Sequence, residues 1–201
     1  RGLEKNPTDQ QLLRELVATL EPDNDYASLK DAYCKLLAGL RSDEQKLDVL
    51  IKVAALCEDK LGQQDEALAF YQQIIEISPD YLPAVTRVAR IYAKQGQWEK
   101  LAVLTVKEAE RLEEPKLKAA RYVRAAEIYN ENLNDVENAV ANYRKAVELM
   151  PDYLPAIREL AAIYEKTGAA EALIEINEKE IALTKNKEHL VYLLHMNAEI
   201  W

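Results

Sequence analysis

Hydrophobic residues recur along most of the chain with the spacing of amphipathic helices. Leu82, Val85, Val88, Ala89 and Tyr92, for example, repeat three or four residues apart. This spacing places them on one face of an α-helix. Together with the turn residues between such stretches, the pattern predicts helical hairpins at about 9–40, 44–77, 81–113, 116–149 and 153–184, followed by a partial unit at 187–201.

One segment of the sequence occurs twice. SPDYLPA, at 78–84, returns as MPDYLPA at 150–156, so that Pro79 and Pro151 lie 72 residues apart. A further step of the same length toward the N-terminus reaches Pro7. Self-similarity at a fixed period is typical of stacked repeat arrays. The sequence therefore predicts an all-α protein built from repeated hairpins.

Residues that tolerate a left-handed backbone mark the turn inside each hairpin. The 72-residue step connects Asn24 to Gly96 and Gly168, and it connects Gly62 to Asn134. Gly and Asn are the residue types that most readily end a helix at positive φ. We expect all five residues to have this conformation.

The turns between hairpins carry the sequence Pro-Asp-Tyr-Leu-Pro. Pro79 and Pro151 are expected to stop one helix, and Asp80 and Asp152 can cap the next. Pro155 then falls in the first turn of the new helix, where a missing N–H costs little.

Composition narrows the range of functions. The 201 residues are 49% hydrophobic and carry a formal net charge of −9. That charge disfavours nucleic acids and anionic membrane surfaces as partners, because both attract basic proteins. No run approaches the ~18 apolar residues of a membrane span. Cys34 and Cys57 lack metal-ligand spacing, and both are predicted to be buried free thiols.

The fourth predicted hairpin resembles the tetratricopeptide repeat (TPR) family. Its matching residues are Ala126, Tyr129, Asn134, Ala139, Tyr143, Ala146 and Pro151. The resemblance implies a single right-handed α-solenoid of stacked antiparallel hairpins over residues 1–201. The 72-residue double unit resembles long bacterial TPR arrays. Because the chain begins at Arg1 and stops inside a sixth unit, we expect it to be an excerpt of a longer chain.

The hairpins alternate between two types. At the position where helices of the TPR family cross closely, even-numbered hairpins have Ala and odd-numbered hairpins have Leu: Ala67, Ala139, Leu29, Leu101 and Leu173. The even-numbered hairpins also carry one extra residue in the turn. An aromatic ladder of Tyr92, Tyr129, Tyr164 and Trp201 is predicted to lie in the core, rather than to form a stacking platform for bases.

In the TPR family the first helix of each hairpin lines a concave groove that binds ligands. Carried over to this sequence, the resemblance implies a groove formed by Arg14, Ile51, Glu58, Thr86, Arg90, Lys94, Val123, Glu127, Asn130, Arg158, Glu165, Lys166 and His195. Its basic and acidic residues alternate along the array. They are either ion pairs between neighbouring helices or the lining of a groove for a peptide that carries both charges.

The sequence shows no sign of catalytic chemistry. His189 and His195 fall on different faces of one helix, which disfavours a two-histidine metal site. Neither a glycine-rich phosphate loop nor a nucleophile motif is present. We therefore expect no enzyme, no metal and no cofactor.

Three functions are compatible with this pattern. The first is a protein-interaction scaffold that holds a protein or peptide partner in its concave groove. The second is a structural spacer or assembly arm, whose open end allows end-to-end self-association. The third is the regulatory arm of an enzyme elsewhere in the parent chain. The sequence leaves the compartment open, with the cytoplasm favoured, and nothing in it predicts membrane insertion.

Overall fold

The computed structural model describes residues 9–200, and this part of the chain consists of helices joined by short turns. The all-α prediction is confirmed. The chain divides between Lys94 and Gln95 into two compact units. Pro7 and Trp201 lie outside the described residues.

The described part of the first unit contains α1 (Gln10–Leu20), α2 (Tyr26–Gly39), α3 (Asp43–Asp59), α4 (Gln64–Ile77) and α5 (Leu82–Lys94). Each of these helices packs against the next one along the chain. The carboxylate of Asp9 accepts hydrogen bonds from backbone N–H groups at the start of α1, and Asp25 does the same for α2. These caps satisfy donors that have no partner within the helix.

The second unit contains α6 (Trp98–Arg111), α7 (Pro115–Glu127), a π-helical turn (Ile128–Asn132), α8 (Val136–Leu149), α9 (Leu154–Thr167), α10 (Ala170–Leu183) and α11 (Lys187–Ile200). Consecutive helices again pack against each other. Their bounds agree closely with the predicted ones. The clearest difference is the end of α6, which lies at Arg111 where the pattern predicts 113.

All five predicted turn residues have a left-handed backbone. The φ angle is 55° at Asn24, 66° at Gly62, 66° at Gly96, 52° at Asn134 and 70° at Gly168. A side chain with a Cβ is disfavoured there, and Asn is the non-glycine residue that tolerates this region best. The prediction is confirmed.

The extra residue of the even-numbered hairpins is accommodated at the end of the first helix, where backbone hydrogen bonds reach back further than the usual four residues. Just after α3, the N–H of Gln63 donates to the carbonyl of Cys57, six residues earlier, at 2.8 Å. Asp135 donates to Tyr129 in the same way, also at 2.8 Å, at the end of the π-helical turn. Bonds that reach back five or six residues, as in a π-bulge, accommodate an insertion without unwinding the helix.

Two kinds of small or medium side chain lie where neighbouring helices approach. Ala67 and Ala139 are fully buried, and the leucines of the odd-numbered hairpins are also buried: Leu29, Leu101 and Leu173. Tyr92 and Tyr164 of the predicted ladder are buried as well. Tyr129 is partly buried and packs against the core of the second unit. These side chains are therefore core residues, as the pattern indicates.

One cysteine prediction is wrong. Cys57 is buried, but Cys34 is exposed. The buried face of α2 runs through Ala32, Tyr33 and Leu36. Cys34 follows Tyr33 by one residue, about 100° further around the helix, and so it points away from that face.

The predicted cap of α9 is also wrong. The N-cap position is occupied by Tyr153, which makes no side-chain capping bond, and Asp152 stands one residue before it. Pro155 lies in the first turn, as predicted. With the helix starting at Leu154, the carboxylate of Asp152 is one residue too early to serve as the cap.

Candidate protein-interaction surface

A buried carboxylate joins three helices of the first unit. Glu58, in the last turn of α3, has a side chain that is 8% exposed. It accepts a hydrogen bond from the hydroxyl of Tyr71 in α4 at 2.9 Å. From α5, Arg87 donates to it at 3.0 Å, and Arg90 donates to its other oxygen. Both carboxylate oxygens thus have charged donors, which is the condition for keeping a buried carboxylate ionised.

The environment of Glu58 favours its charged form. Burial alone raises the pKa of this carboxyl, but the Tyr71 hydroxyl and the guanidinium groups of Arg87 and Arg90 outweigh it. The pKa of Glu58 therefore lies below its ordinary value of 4.5. The same hydrogen bond and the burial of the ring raise the pKa of Tyr71, so that this hydroxyl remains a donor.

An open cavity of about 490 Å³ lies beside this cluster, and we call it the Glu58 cavity. It is lined by Glu58, Asp59, Gln64, Arg87, Arg90, Ile91 and Lys94. Lys94, at the end of α5, is exposed, and it forms no ion pair within the described part of the chain. The lining of the Glu58 cavity therefore combines a carboxylate that is neutralised by two arginines with an exposed amine.

The second unit has a related cluster around Glu180 of α10. Its side chain is only 3% exposed and accepts from the Nε atom of Arg158 in α9 at 2.8 Å. The same oxygen lies 2.8 Å from Nε2 of His189 in α11. Burial raises the pKa of Glu180, but the hydrogen bonds and charges of Arg158 and His189 lower it below its ordinary value. Arg158 of α9 is thus held in place by Glu180 of the neighbouring helix α10.

Glu180 and the two partners of Glu58, Arg87 and Tyr71, are not among the groove residues that the family resemblance implies. A signal for Glu180 was present, because a glutamate stands where the even-numbered hairpins have Ala146 or Ile74 on the buried side of the second helix. A charged residue at a core position indicates a partner across the interface. The identity of the basic partner depends on how the helices cross, and the sequence pattern does not define that crossing.

The residues of the predicted groove are not all exposed. Those that are exposed are Arg14, Thr86, Arg90, Lys94, Arg158, Glu165, Lys166 and His195, and those that are half-buried are Ile51, Glu127 and Asn130. Val123 is buried in the core of the second unit. Within the first unit, the structure brings Glu58, Arg90 and Lys94 together around one cavity.

Neither a metal centre nor a membrane span is found in the residues described. Between residues 9 and 200, no three His, Cys, Asp or Glu side chains are grouped so that they could hold a metal ion. In the same range, every helix is too short or too polar to cross a bilayer.

Two models of the tetratricopeptide repeat match the sequence, one at residues 54–81 and the other at residues 119–153. The first match covers the end of α3 and all of α4, and the second covers most of α7, the π-helical turn and α8. The chain contains tetratricopeptide repeats at these two places. Both matches fall on the even-numbered hairpins, whose Ala and Tyr residues carry the resemblance.

Three solved structures illustrate what the chain is similar to. The crystal structure of MamA protein is 15% identical, with a TM-score of 0.46, and the match covers 90% of this chain and 94% of that one. MamA (41-end) from Desulfovibrio magneticus RS-1 is 16% identical, with a TM-score of 0.39 over 86% and 96% of the two chains. YrrB, described as a TPR protein with an unusual peptide-binding site, is 16% identical, with a TM-score of 0.43 over 98% and 96%. No curated protein matches the sequence.

The tetratricopeptide repeats support a role for the chain as a protein-interaction scaffold. Members of the family are typically not enzymes and bind protein or peptide partners. Each of the two units thus contains a glutamate whose buried side chain is paired with basic residues of neighbouring helices.

Proposed function

We propose that the chain binds an acidic segment of a partner protein at the Glu58 cavity. The proposal is carried by one observation: the exposed Lys94 lines the cavity, while the buried carboxylate of Glu58 in the same lining is already neutralised by two arginines. Its lining contains three basic and two acidic side chains, although the whole chain carries a charge of −9. A local excess of positive charge on an acidic protein favours carboxylates over other groups.

The arrangement also supplies rigidity. Arg87 and Arg90 are held by Glu58, and Glu58 is held by Tyr71, so that the guanidinium groups are oriented before a partner arrives. Side chains that are already ordered lose less conformational entropy on binding. Arg90 remains 59% exposed despite its ion pair, which leaves donors for an incoming carboxylate.

A displayed library of random short peptides tests the proposal. We expect the chain to enrich peptides that carry Asp or Glu. Lys94→Glu should weaken the binding of these peptides by about tenfold or more, because a charge-assisted hydrogen bond is replaced by a repulsion. The matched control is Lys35→Glu, which makes the same charge change at an exposed site on α2.

The two variants also define the failure of the proposal. Circular dichroism should show that both retain the helical content of the parent chain. If the enriched peptides bind the two variants equally, or if enrichment favours basic peptides, the Glu58 cavity is not the binding site.

A further inference from the structure

A second open cavity is lined by three consecutive helices of the second unit. Its volume is about 470 Å³, and its lining comes from α8, α9 and α10 and from Pro151 in the turn that joins the first two. Helix α9 packs against both α8 and α10. We call this space the α8–α10 cavity. It shares no residue with the Glu58 cavity.

Apolar side chains form much of the lining. Val147 of α8, Leu160 of α9 and Ile176 of α10 belong to the buried core of the unit and also border the cavity. Pro151, which is exposed, and Ala172, which is partly buried, extend this apolar surface. A ligand that covers such a surface with an apolar side chain removes apolar area from water on both partners. The cavity is therefore suited to a large apolar side chain.

One polar contact of the cavity repeats at the 72-residue step. In the first unit, the side-chain amide of Gln72 in α4 donates to the hydroxyl of Tyr92 in α5 at 2.7 Å. In the second unit, the Nε atom of Arg144 in α8 donates to the hydroxyl of Tyr164 in α9 at 2.9 Å. A neutral amide is thus sufficient to hold the tyrosine. The positive charge of Arg144 is an addition that this contact does not require.

Arg144 is oriented but has no carboxylate partner among residues 9–200. Its side chain is exposed, and its guanidinium carbon lies over the Tyr164 ring, 6.0 Å from the ring centre. The hydrogen bond to Tyr164 uses Nε and leaves the N–H groups of Nη1 and Nη2 available. A carboxylate can accept two parallel hydrogen bonds from a guanidinium group. Arg144 therefore presents a fixed cation at the edge of the apolar surface.

The other charges of the lining limit where a carboxylate can bind. Lys179 and Glu175 of α10 pair with each other at 3.0 Å and so neutralise each other locally. Glu148, one turn beyond Arg144 on α8, is exposed and has no basic partner in the part of the chain that the structure describes. The lining thus contains one cation and one carboxylate that are not ion-paired. Charge complementarity favours a ligand with an acidic group near Arg144 and a basic group near Glu148.

We propose that the α8–α10 cavity binds a short segment of a partner protein that carries an acidic, a large apolar and a basic side chain. The acidic side chain pairs with Arg144, and the basic one pairs with Glu148. The apolar side chain lies against Val147, Leu160 and Ile176. A segment with both charges fits better than a uniformly acidic one, because Glu148 repels a second carboxylate. This inference does not depend on the function proposed for the Glu58 cavity.

A displayed library of random short peptides tests the proposal. It is selected against the 201-residue chain with Lys94→Glu, so that binding at the Glu58 cavity is weakened. We expect the enriched peptides to combine Asp or Glu, a large apolar residue and Lys or Arg. Ala172→Phe should abolish their binding, because the larger side chain occupies the apolar space. The matched control is Ala182→Phe, at an exposed site on the same helix, which should leave binding unchanged.

Arg144→Gln tests the charge without removing the tyrosine contact, since Gln72 makes the same contact one repeat earlier. Fluorescence anisotropy with an enriched peptide should show binding weakened by about tenfold or more, because charge-assisted hydrogen bonds are lost. Lys145→Gln removes the same charge from the next residue of α8, outside the lining, and should have no effect. Replacing the acidic residue of the peptide by its amide should weaken binding to the parent chain, with little further effect on Arg144→Gln.

Several results would overturn the proposal. They are the absence of any enriched peptide, equal binding to Arg144→Gln and to the parent chain, and additive effects of the peptide and chain substitutions. Enrichment of uniformly acidic peptides would contradict the part assigned to Glu148. A dimer that Ala172→Phe dissociates in sedimentation, together with no peptide binding, would make a second copy of the chain the occupant and would also overturn the proposal.

Discussion

At the scale of single residues, the charged side chains of the predicted groove form ion pairs with two kinds of neighbouring helix. One interpretation of the alternating charges was that they form ion pairs between neighbouring helices. Glu58, in the first helix of its hairpin, indeed pairs with Arg90 in the first helix of the next hairpin. Arg158 instead pairs with Glu180 of a second helix. The exposed charges could be identified from the sequence, because the repeat positions are clear. Their partners could not, because a pairing depends on distances across helices that are remote in sequence.

The ionised state of Glu58 is expected to stabilise the fold. Glu58→Gln should lower the free energy of unfolding at pH 7 by roughly 1–3 kcal/mol, as for a buried hydrogen bond between charged groups. Because the pKa of Glu58 is lowered in the folded chain, its contribution is complete above the ordinary value of 4.5 and is lost as pH falls through the lower folded value. Urea unfolding of parent and variant between neutral and acidic pH measures this difference.

The expected result is a gap between the two chains that is constant near neutral pH and closes in acid. Glu76→Gln, an exposed site on α4, provides the control and should leave stability almost unchanged at every pH. A gap for Glu58→Gln that persists or widens at acidic pH would contradict the role of the charge.

At the scale of helices and turns, most of the fold could be predicted from the sequence. The spacing of apolar residues predicted where the helices lie. Gly or Asn at a fixed 72-residue step predicted the left-handed turns, because few other residues accept that backbone conformation. The form of the wider turns could not be read in the same way. An extra residue can be absorbed in a loop or in a π-helical turn, and the structure shows the latter at Ile128–Asn132.

The stability cost of replacing Gly62 should come from its backbone conformation alone, and not from a steric clash. A Cβ at this position would meet no atom within 4 Å, but φ is +66°. Gly62→Ala should therefore cost about 1–2 kcal/mol of stability, the strain of a left-handed L-residue. Gly39→Ala, at a helical position of α2, should be neutral or slightly stabilising. Thermal unfolding of both variants checks this, and equal melting temperatures would show that the turn adopts another conformation.

At the scale of the whole molecule, the 72-residue period relates each helix of an even-numbered hairpin to a counterpart. The family resemblance was inferred from the residues that this period aligns, and the tetratricopeptide matches at 54–81 and 119–153 confirm the resemblance. The period also exposes what the sequence pattern could not show. Val123 and His195 occupy the same repeat position, but Val123 is buried and His195 is exposed, so a repeat position does not by itself determine burial.

The most direct test of the account maps where a bound peptide lies. An acidic peptide selected by display should be titrated into the isotopically labelled chain, and the amide chemical shifts should be followed by NMR. We expect the largest changes at the end of α3 and in α5, around Glu58, Arg90 and Lys94. Changes confined to the second helices α2 and α4 would contradict the account and would place the binding surface on the other side of the repeats.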